Sequence, residues 1–260
     1  MMSLKLDSPA FGSVDVQTFL NENVFSGFQW LIFGLCFFVV LLDGFNTVAI
    51  GYIAPSLIKD WSVSRSMLAP MLSAALFGLA AGALGAGPLA DRLGRKRMLE
   101  GSVLVIALGC LCSAFAADLT QLTALRFVTG LGLGAAMPTA VTLMSEYCPD
   151  QRRAMVTNAM FSGFPLGAAF GGFLAAWMIP IWGWRSVLVL GGVAPLVLVL
   201  LLVIFLPESV RYMVAKAQPV EHIHSVLRRI FDGAPKATAY FLAEDNPVAN
   251  GKTGLGVVFS

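Results

Sequence analysis

Six apolar stretches, each long enough to cross a lipid bilayer, account for most of this chain. They cover residues 29–54, 67–89, 98–116, 119–144, 154–178 and 184–206. A helix of about 20 predominantly apolar residues spans the hydrocarbon core of a membrane. Only 12% of the 260 residues are charged, whereas a soluble domain has about 25%. The sequence therefore predicts an all-α membrane protein with six transmembrane helices.

The stretches divide the chain into three parts. Residues 1–28 form an N-terminal segment without the pattern of a signal peptide, residues 29–206 a six-helix bundle, and residues 207–260 a second polar segment. Within the last part, residues 220–231 carry apolar side chains at helical spacing, which predicts an amphipathic helix. A polar segment of this size, followed by a mildly apolar end, suggests half of a longer protein.

The positions of the basic residues predict the orientation. If the N-terminus is inside, thirteen Lys and Arg residues fall in inside segments and only Lys59, Arg65 and Arg185 fall outside. Loops on the cytoplasmic side of a membrane are enriched in Lys and Arg. Both termini, and hence the segments 1–28 and 207–260, are therefore expected to be cytosolic.

Two charges of opposite sign lie inside the apolar stretches. Asp43 is in the first stretch and Arg126 in the fourth, and a charge at such depth costs several kcal/mol unless it has a partner or a function. Asn46 and Thr47 share a helix face with Asp43. Counted from the ends of the two stretches, the charges differ by roughly 6 Å in depth, so a direct or water-bridged pair is feasible. A structural ion pair and a polar cavity on a substrate or proton path are the two interpretations.

A series of glycines follows Arg126. Gly130 lies one helical turn beyond it, Gly132 and Gly134 come next, and Pro138 follows. One interpretation is that the missing side chains leave room for the guanidinium and a ligand. The alternative is a helix-packing face, with an arginine that extends toward the membrane surface.

The connection between the second and third stretches has a distinctive pattern. Residues 87–97 read GPLADRLGRKR, in which Gly87 permits close helix packing, Gly94 permits a tight turn and Asp91 accepts hydrogen bonds. An ordinary basic loop explains the cations but not the spacing G-x-x-x-D-R-x-G-R-K. The pattern resembles the signature loop of the major facilitator superfamily, and the Arg126 pattern resembles the fourth helix of that superfamily.

A narrower resemblance is carried by residues 43–57, DGFNTVAIGYIAPSL. They are similar to the aromatic acid/H+ symporters, and most similar to the carriers of 4-hydroxybenzoate and protocatechuate. Further agreement comes from residues 145–149 (SEYCP), 163–167 (GFPLG), 183–185 (GWR) and 207–211 (PESVR). The resemblance covers nearly the whole chain, but only the first half of that family.

The resemblance implies proton-coupled import of an aromatic carboxylate across the bacterial inner membrane. Family members have twelve helices in two bundles, and this chain corresponds to the first bundle, a 3+3 inverted repeat, so a second bundle is an expected partner. The family usually has aspartate where this chain has Asn46. Because an amide cannot carry a proton, coupling would depend on Asp43 alone or be weakened.

The implied roles follow from the matched motifs. Asp43 would carry the proton, and four residues would bind substrate: Asn46, Thr47, Arg126 and Gly130. Phe45 and Tyr52 are candidates for ring contacts with the substrate, although packed or lipid-facing positions are more common for such side chains. A conformational latch would involve Gly87, Asp91, Arg92, Gly94, Arg95, Glu146 and Arg153.

Other functional classes are less well supported. An intramembrane protease needs a Ser–His or paired-Asp arrangement, but the histidines, His222 and His224, lie in the C-terminal segment. The four cysteines have neither disulfide nor zinc spacing and are expected to act as small packing residues. We expect no cofactor, metal or nucleic-acid partner. A truncated, non-transporting fragment and a ligand-binding membrane sensor remain alternatives.

Overall fold

The computed structural model describes residues 13–231 and 239–241. Ten α-helices occur in these residues, together with a 3₁₀ turn at Arg65–Leu68 and two short strands. The helices are α1 (Val16–Glu22), α2 (Gly27–Trp61), α3 (Ala69–Leu93), α4 (Arg95–Ala114), α5 (Leu119–Glu146), α6 (Asp150–Phe161), α7 (Gly163–Trp182), α8 (Arg185–Phe205), α9 (Val210–Ala215) and α10 (Val220–Ile230). The strands are β1 (Ser13–Asp15) and β2 (Ala239–Phe241), which pair in parallel.

Six helical units in the described residues are long and apolar enough to cross a membrane. Helices α2, α4, α5 and α8 each form one unit, α3 extends the 3₁₀ turn before it, and α6 and α7 together form the fifth. The prediction of an all-α bundle with six transmembrane helices is confirmed.

The first transmembrane helix is longer than predicted. It was expected to end near Ala54, but α2 continues through Pro55 to Trp61. A proline inside a helix removes one backbone hydrogen bond and usually bends or ends it. Here the helix continues because apolar residues beyond the proline, such as Leu57, are buried against the bundle.

Glycines allow the closest helix contacts. A side chain at Gly167 of α7 would overlap the carbonyl of Leu41 on α2, and one at Gly134 of α5 would overlap the carbonyl of Leu79 on α3. Backbones can approach this closely only where no Cβ intervenes. The glycine-rich stretches are therefore packing surfaces, and they hold α2 against α7 and α3 against α5.

The segments before and after the six helices pack together at one end of the bundle, which we call the basic end and define by the α3–α4 turn at Gly94. Asn21 of α1 donates a hydrogen bond to Asp150 at 2.8 Å, and the rings of Phe19 and Phe231 lie 6.3 Å apart. Residues 220–230 form helix α10, whose Leu227 is fully buried. The hydrophobic core formed by α2 and α5 thus extends to apolar side chains of α1 and α10, in the segments before and after the six helices.

Candidate functional site

A cavity of about 300 Å³ lies between α2, α3 and α5. Most of its wall is apolar, and its polar groups come from α2 and α5. The lining residues are Asn46, Thr47, Ile50, Leu72, Ala75, Leu76, Leu79, Arg126, Thr129 and Leu133. Three of the four predicted substrate-binding residues, Asn46, Thr47 and Arg126, are therefore brought together on one cavity.

Arg126 is buried at the edge of this cavity. Its side chain is 2% exposed, so it does not extend toward the surface, and its Nε has no hydrogen-bond partner. Nη2 lies 3.5 Å from Sγ of Cys110. No carboxylate in the described part of the chain lies within ion-pairing distance of Arg126. The cavity therefore contains a positive charge without a counter-charge.

Cys110 connects Arg126 to Asn46. Its thiol donates to Oδ1 of Asn46 at 3.0 Å, and Asn46 in turn donates from Nδ2 to the carbonyl of Leu42 at 3.0 Å. The cysteines were predicted to be apolar packing residues, and Cys110 is indeed buried in the hydrophobic core, but its thiol also makes these polar contacts. Its polar role depends on a contact between three different helices, so no local pattern in the sequence indicates it.

Asp43 lies apart from Arg126. It is 4% exposed, its Oδ1 has no hydrogen-bond partner, and among the described residues it forms no ion pair. Of the two interpretations given above, the structural ion pair is not found, since none of the ion pairs in the described residues joins Asp43 to Arg126. Through Cys110, Arg126 is linked to Asn46, which lies about one helical turn beyond Asp43 on α2.

The glycines after Arg126 do not make room for a ligand. A side chain at Gly130 would overlap the carbonyl of Ala75 on α3, and one at Gly132 would meet the carbonyl of Ser102 on α4 at 2.7 Å. The structure therefore places Gly130 in a helix contact, outside the cavity wall, as the packing interpretation expects.

The two candidate aromatic residues also face a neighbouring helix. The Phe45 ring lies where a side chain at Gly171 of α7 would be, and Tyr52 donates its hydroxyl to the carbonyl of Ala168 at 2.8 Å. Both rings pack toward α7, and neither lines the cavity.

A charged cluster lies at the basic end. Gly94 has φ of +103° and forms the tight turn between α3 and α4. Arg95, which follows it, forms an ion pair with Asp91 and a second one with Glu146, where Nε and Oε1 are 3.3 Å apart. The structure thus brings together the three charged residues that the resemblance assigns to a latch.

Four further residues extend this cluster, and the sequence analysis did not assign them. Ser209 donates its hydroxyl to Glu146, and Tyr147 donates its hydroxyl to the carbonyl of Glu208. The Glu208 carboxylate accepts from the backbone N–H of Lys96 at 3.0 Å. Glu208 and Ser209 belong to the PESVR motif and Tyr147 to the SEYCP motif, which both contribute to the resemblance described above.

The phenol of Tyr147 is suited to act as a donor in this position. Burial, followed by the nearby carboxylates of Glu208 and Glu146, raises the pKa of Tyr147 well above its ordinary value. The hydroxyl therefore keeps its proton. The fourth additional residue, Tyr212, donates to the carbonyl of Arg92 at 3.1 Å, which connects α9 to the end of α3.

Gly87, Arg92 and Arg153 are not part of the ion-pair cluster. A side chain at Gly87 would meet no atom, so the expected close packing there is wrong; this glycine lines a second cavity of about 240 Å³ beside Asp91 and Arg95. The backbone carbonyl of Arg92 accepts the hydrogen bond from Tyr212 described above. Arg153 pairs with Asp150 at 2.8 Å instead of with Glu146.

Replacement of Glu146 by glutamine should weaken the basic end. The buried carboxylate accepts from both Arg95 and Ser209, and a neutral amide would leave Arg95 with only Asp91 as a charged partner. We expect a loss of about 2 kcal/mol in the free energy of unfolding, measured from thermal midpoints in detergent. Glu221→Gln on α10 is the control, and an equal effect of the two substitutions would contradict the assignment.

Comparisons with known proteins agree with this architecture. The sequence model described as Major Facilitator Superfamily matches residues 36–248. The chain is 46% identical to the 4-hydroxybenzoate transporter PcaK of Pseudomonas aeruginosa over 252 residues, covering 97% of this chain and 56% of that protein. It is 43% identical to a gallate transporter of Pseudomonas putida over 255 residues, covering 98% of this chain and 56% of that protein.

Solved structures show the same fold. A partially occluded, inward-open conformation of the xylose transporter XylE from E. coli superposes with a TM-score of 0.68 at 23% identity, covering 82% of this chain and 56% of that one. This chain therefore spans about half the length of the relatives it matches. The family match and the fold together show that the chain is a multi-pass membrane protein that belongs to the Major Facilitator Superfamily.

Proposed function

We propose that this chain is the N-terminal half of a proton-coupled carrier that imports an aromatic carboxylate, such as 4-hydroxybenzoate or protocatechuate, across the bacterial inner membrane. In this proposal both termini are cytosolic, and the basic end faces the cytoplasm. The similarity to transporters of 4-hydroxybenzoate and gallate supports the substrate class.

The observation that carries the proposal is the unpaired Arg126 beside an apolar cavity. A buried charge without a partner is strongly unfavourable, so the site is completed by an anion. A carboxylate suits the guanidinium because the two planar groups can form paired hydrogen bonds. The apolar wall, with Leu72, Leu76 and Leu79, suits the ring of an aromatic acid.

The three other polar side chains of the cavity, Asn46, Thr47 and Thr129, differ in whether they are free to form a hydrogen bond with a ligand. The Thr47 hydroxyl has no hydrogen-bond partner among the described residues and is available to a ligand. The hydroxyl of Thr129 and the amide of Asn46 already bond to carbonyls of their own helices. Thr47 is therefore the second candidate contact for the substrate, after Arg126.

Asp43 is the group that carries the proton in this proposal. A charged carboxylate in an apolar environment is costly when it has no partner, and binding a proton removes that cost. Asn46 has no proton to transfer, so Asp43 is the remaining acid on this part of α2. The Asp91–Arg95–Glu146 cluster would hold the basic end closed in one of the two transport states, and a second bundle would provide the opposing wall.

Uptake into proteoliposomes tests this function. The chain is reconstituted alone, and labelled 4-hydroxybenzoate is supplied with or without an inward proton gradient. Accumulation that requires the gradient is the expected result if the chain can assemble the second wall, for instance from another copy. Binding without uptake would favour the alternative, a truncated fragment or a membrane sensor.

The substitution Asp43→Asn should abolish the dependence of uptake on the proton gradient. The amide is nearly isosteric, so the fold is retained, but it cannot exchange a proton. We expect gradient-driven accumulation to fall to the level measured without a gradient. Asp60→Asn near the end of α2 is the control, and unchanged accumulation in Asp43→Asn would exclude Asp43 as the proton carrier.

A further inference from the structure

Cys110 lies between the two halves of the cavity's polar wall. It is fully buried on α4, and its sulfur contacts Oδ1 of Asn46 at 3.0 Å and Nη2 of Arg126 at 3.5 Å. The guanidinium of Arg126 and the amide oxygen of Asn46 determine which atom donates in each contact. Arg126 can only donate, so the sulfur accepts from it and gives its own hydrogen to Asn46.

We propose that Cys110 is a positioning residue that orients the Arg126 guanidinium toward the cavity. This inference rests on the proposed function, because it concerns how the same site binds a carboxylate. A thiol is a weak donor and a weak acceptor, so it orients the guanidinium without competing strongly for its N–H groups. Nε of Arg126 indeed remains without a partner.

The surrounding helices hold this arrangement in place. A side chain at Gly109 would overlap the hydroxyl of Thr129, so α4 and α5 are in close contact beside the thiol. A side chain at Gly191 of α8 would overlap Oδ1 of Asn46, so the amide has a glycine-lined recess. Neither the thiol nor the amide can move far, and the position of the guanidinium follows from theirs.

Binding of 4-hydroxybenzoate to the purified full chain in nanodiscs tests the inference. Cys110→Ala and the bulkier apolar Cys110→Val both remove the contact to Asn46 and Arg126, and each should lower affinity about fivefold, the effect of one lost hydrogen bond. Cys110→Ser keeps a donor and an acceptor and should remain within about twofold of the unsubstituted chain. Cys112→Ala, an exposed cysteine on the same helix, is the matched control.

A double-mutant cycle separates positioning from a purely structural role. If Cys110 acts through Arg126, Cys110→Ala should have little further effect on affinity in an Arg126→Lys background. Equal losses in both backgrounds, or unchanged affinity in Cys110→Ala and Cys110→Val, would overturn the inference while leaving the proposed function intact. Failure of the unsubstituted chain to bind 4-hydroxybenzoate would overturn both.

Discussion

Replacement of Arg126 by glutamine should abolish measurable binding of 4-hydroxybenzoate while leaving the empty chain at least as stable. The substitution removes the charge that a carboxylate would pair with, and we expect affinity to fall about 100-fold or more. It also removes a buried charge that has no acidic partner in the described part of the chain, which is a destabilising feature of the unliganded state. Calorimetric titration and thermal midpoints measure the two effects separately.

Two controls make the Arg126→Gln result specific. Arg65→Gln removes an exposed arginine from the 3₁₀ turn and should change neither quantity. The methyl ester of 4-hydroxybenzoate lacks the negative charge and should bind the unsubstituted chain and the variant equally weakly. A strongly destabilised variant, or one that still binds the acid, would show that Arg126 has a structural role.

Replacement of Gly167 by alanine should destabilise the bundle by about 3 kcal/mol or more. The added methyl group would overlap the carbonyl of Leu41, so α2 and α7 would have to separate along their contact. Gly101→Ala is the matched control, because the same methyl group at that position would meet no atom. Alanine also favours a helix over glycine, so the control should be neutral or slightly stabilising.

Thermal midpoints of both variants in the same detergent give the comparison. The contrast between the two glycines tests the helix packing independently of any ligand. If Gly167→Ala unfolds at the same temperature as Gly101→Ala, α2 and α7 are not in the close contact described above.

Local features of the chain were sufficient to predict the membrane bundle. The length and polarity of the apolar stretches depend only on neighbouring residues, and so does the turn at Gly94, where a positive φ favours glycine. The end of α2 was predicted too early, because burial of residues such as Leu57 keeps the helix intact beyond Pro55.

The composition of the site was only partly predictable. A charge in an apolar stretch is visible in the sequence, which is why Arg126 and Asp43 were selected as candidates. Cys110 was missed because a cysteine in an apolar helix is usually a packing residue, and Gly130 was misplaced because a glycine does not show which neighbour it faces. The contacts of Glu208 with Lys96 and of Ser209 with Glu146 join positions more than 60 residues apart in the chain.

The amino-acid sequence by itself was enough to specify a six-helix membrane bundle, its two buried charges and its glycine-rich segments. These properties follow from the cost of placing polar groups in lipid, which acts on each segment separately. The packing of the helices decided that the two charges stay apart, that Arg126 lacks a counter-charge beside a cavity, and that a thiol connects it to Asn46. Such relations depend on the rotation and relative depth of neighbouring helices, and these are set by side-chain packing across the whole bundle.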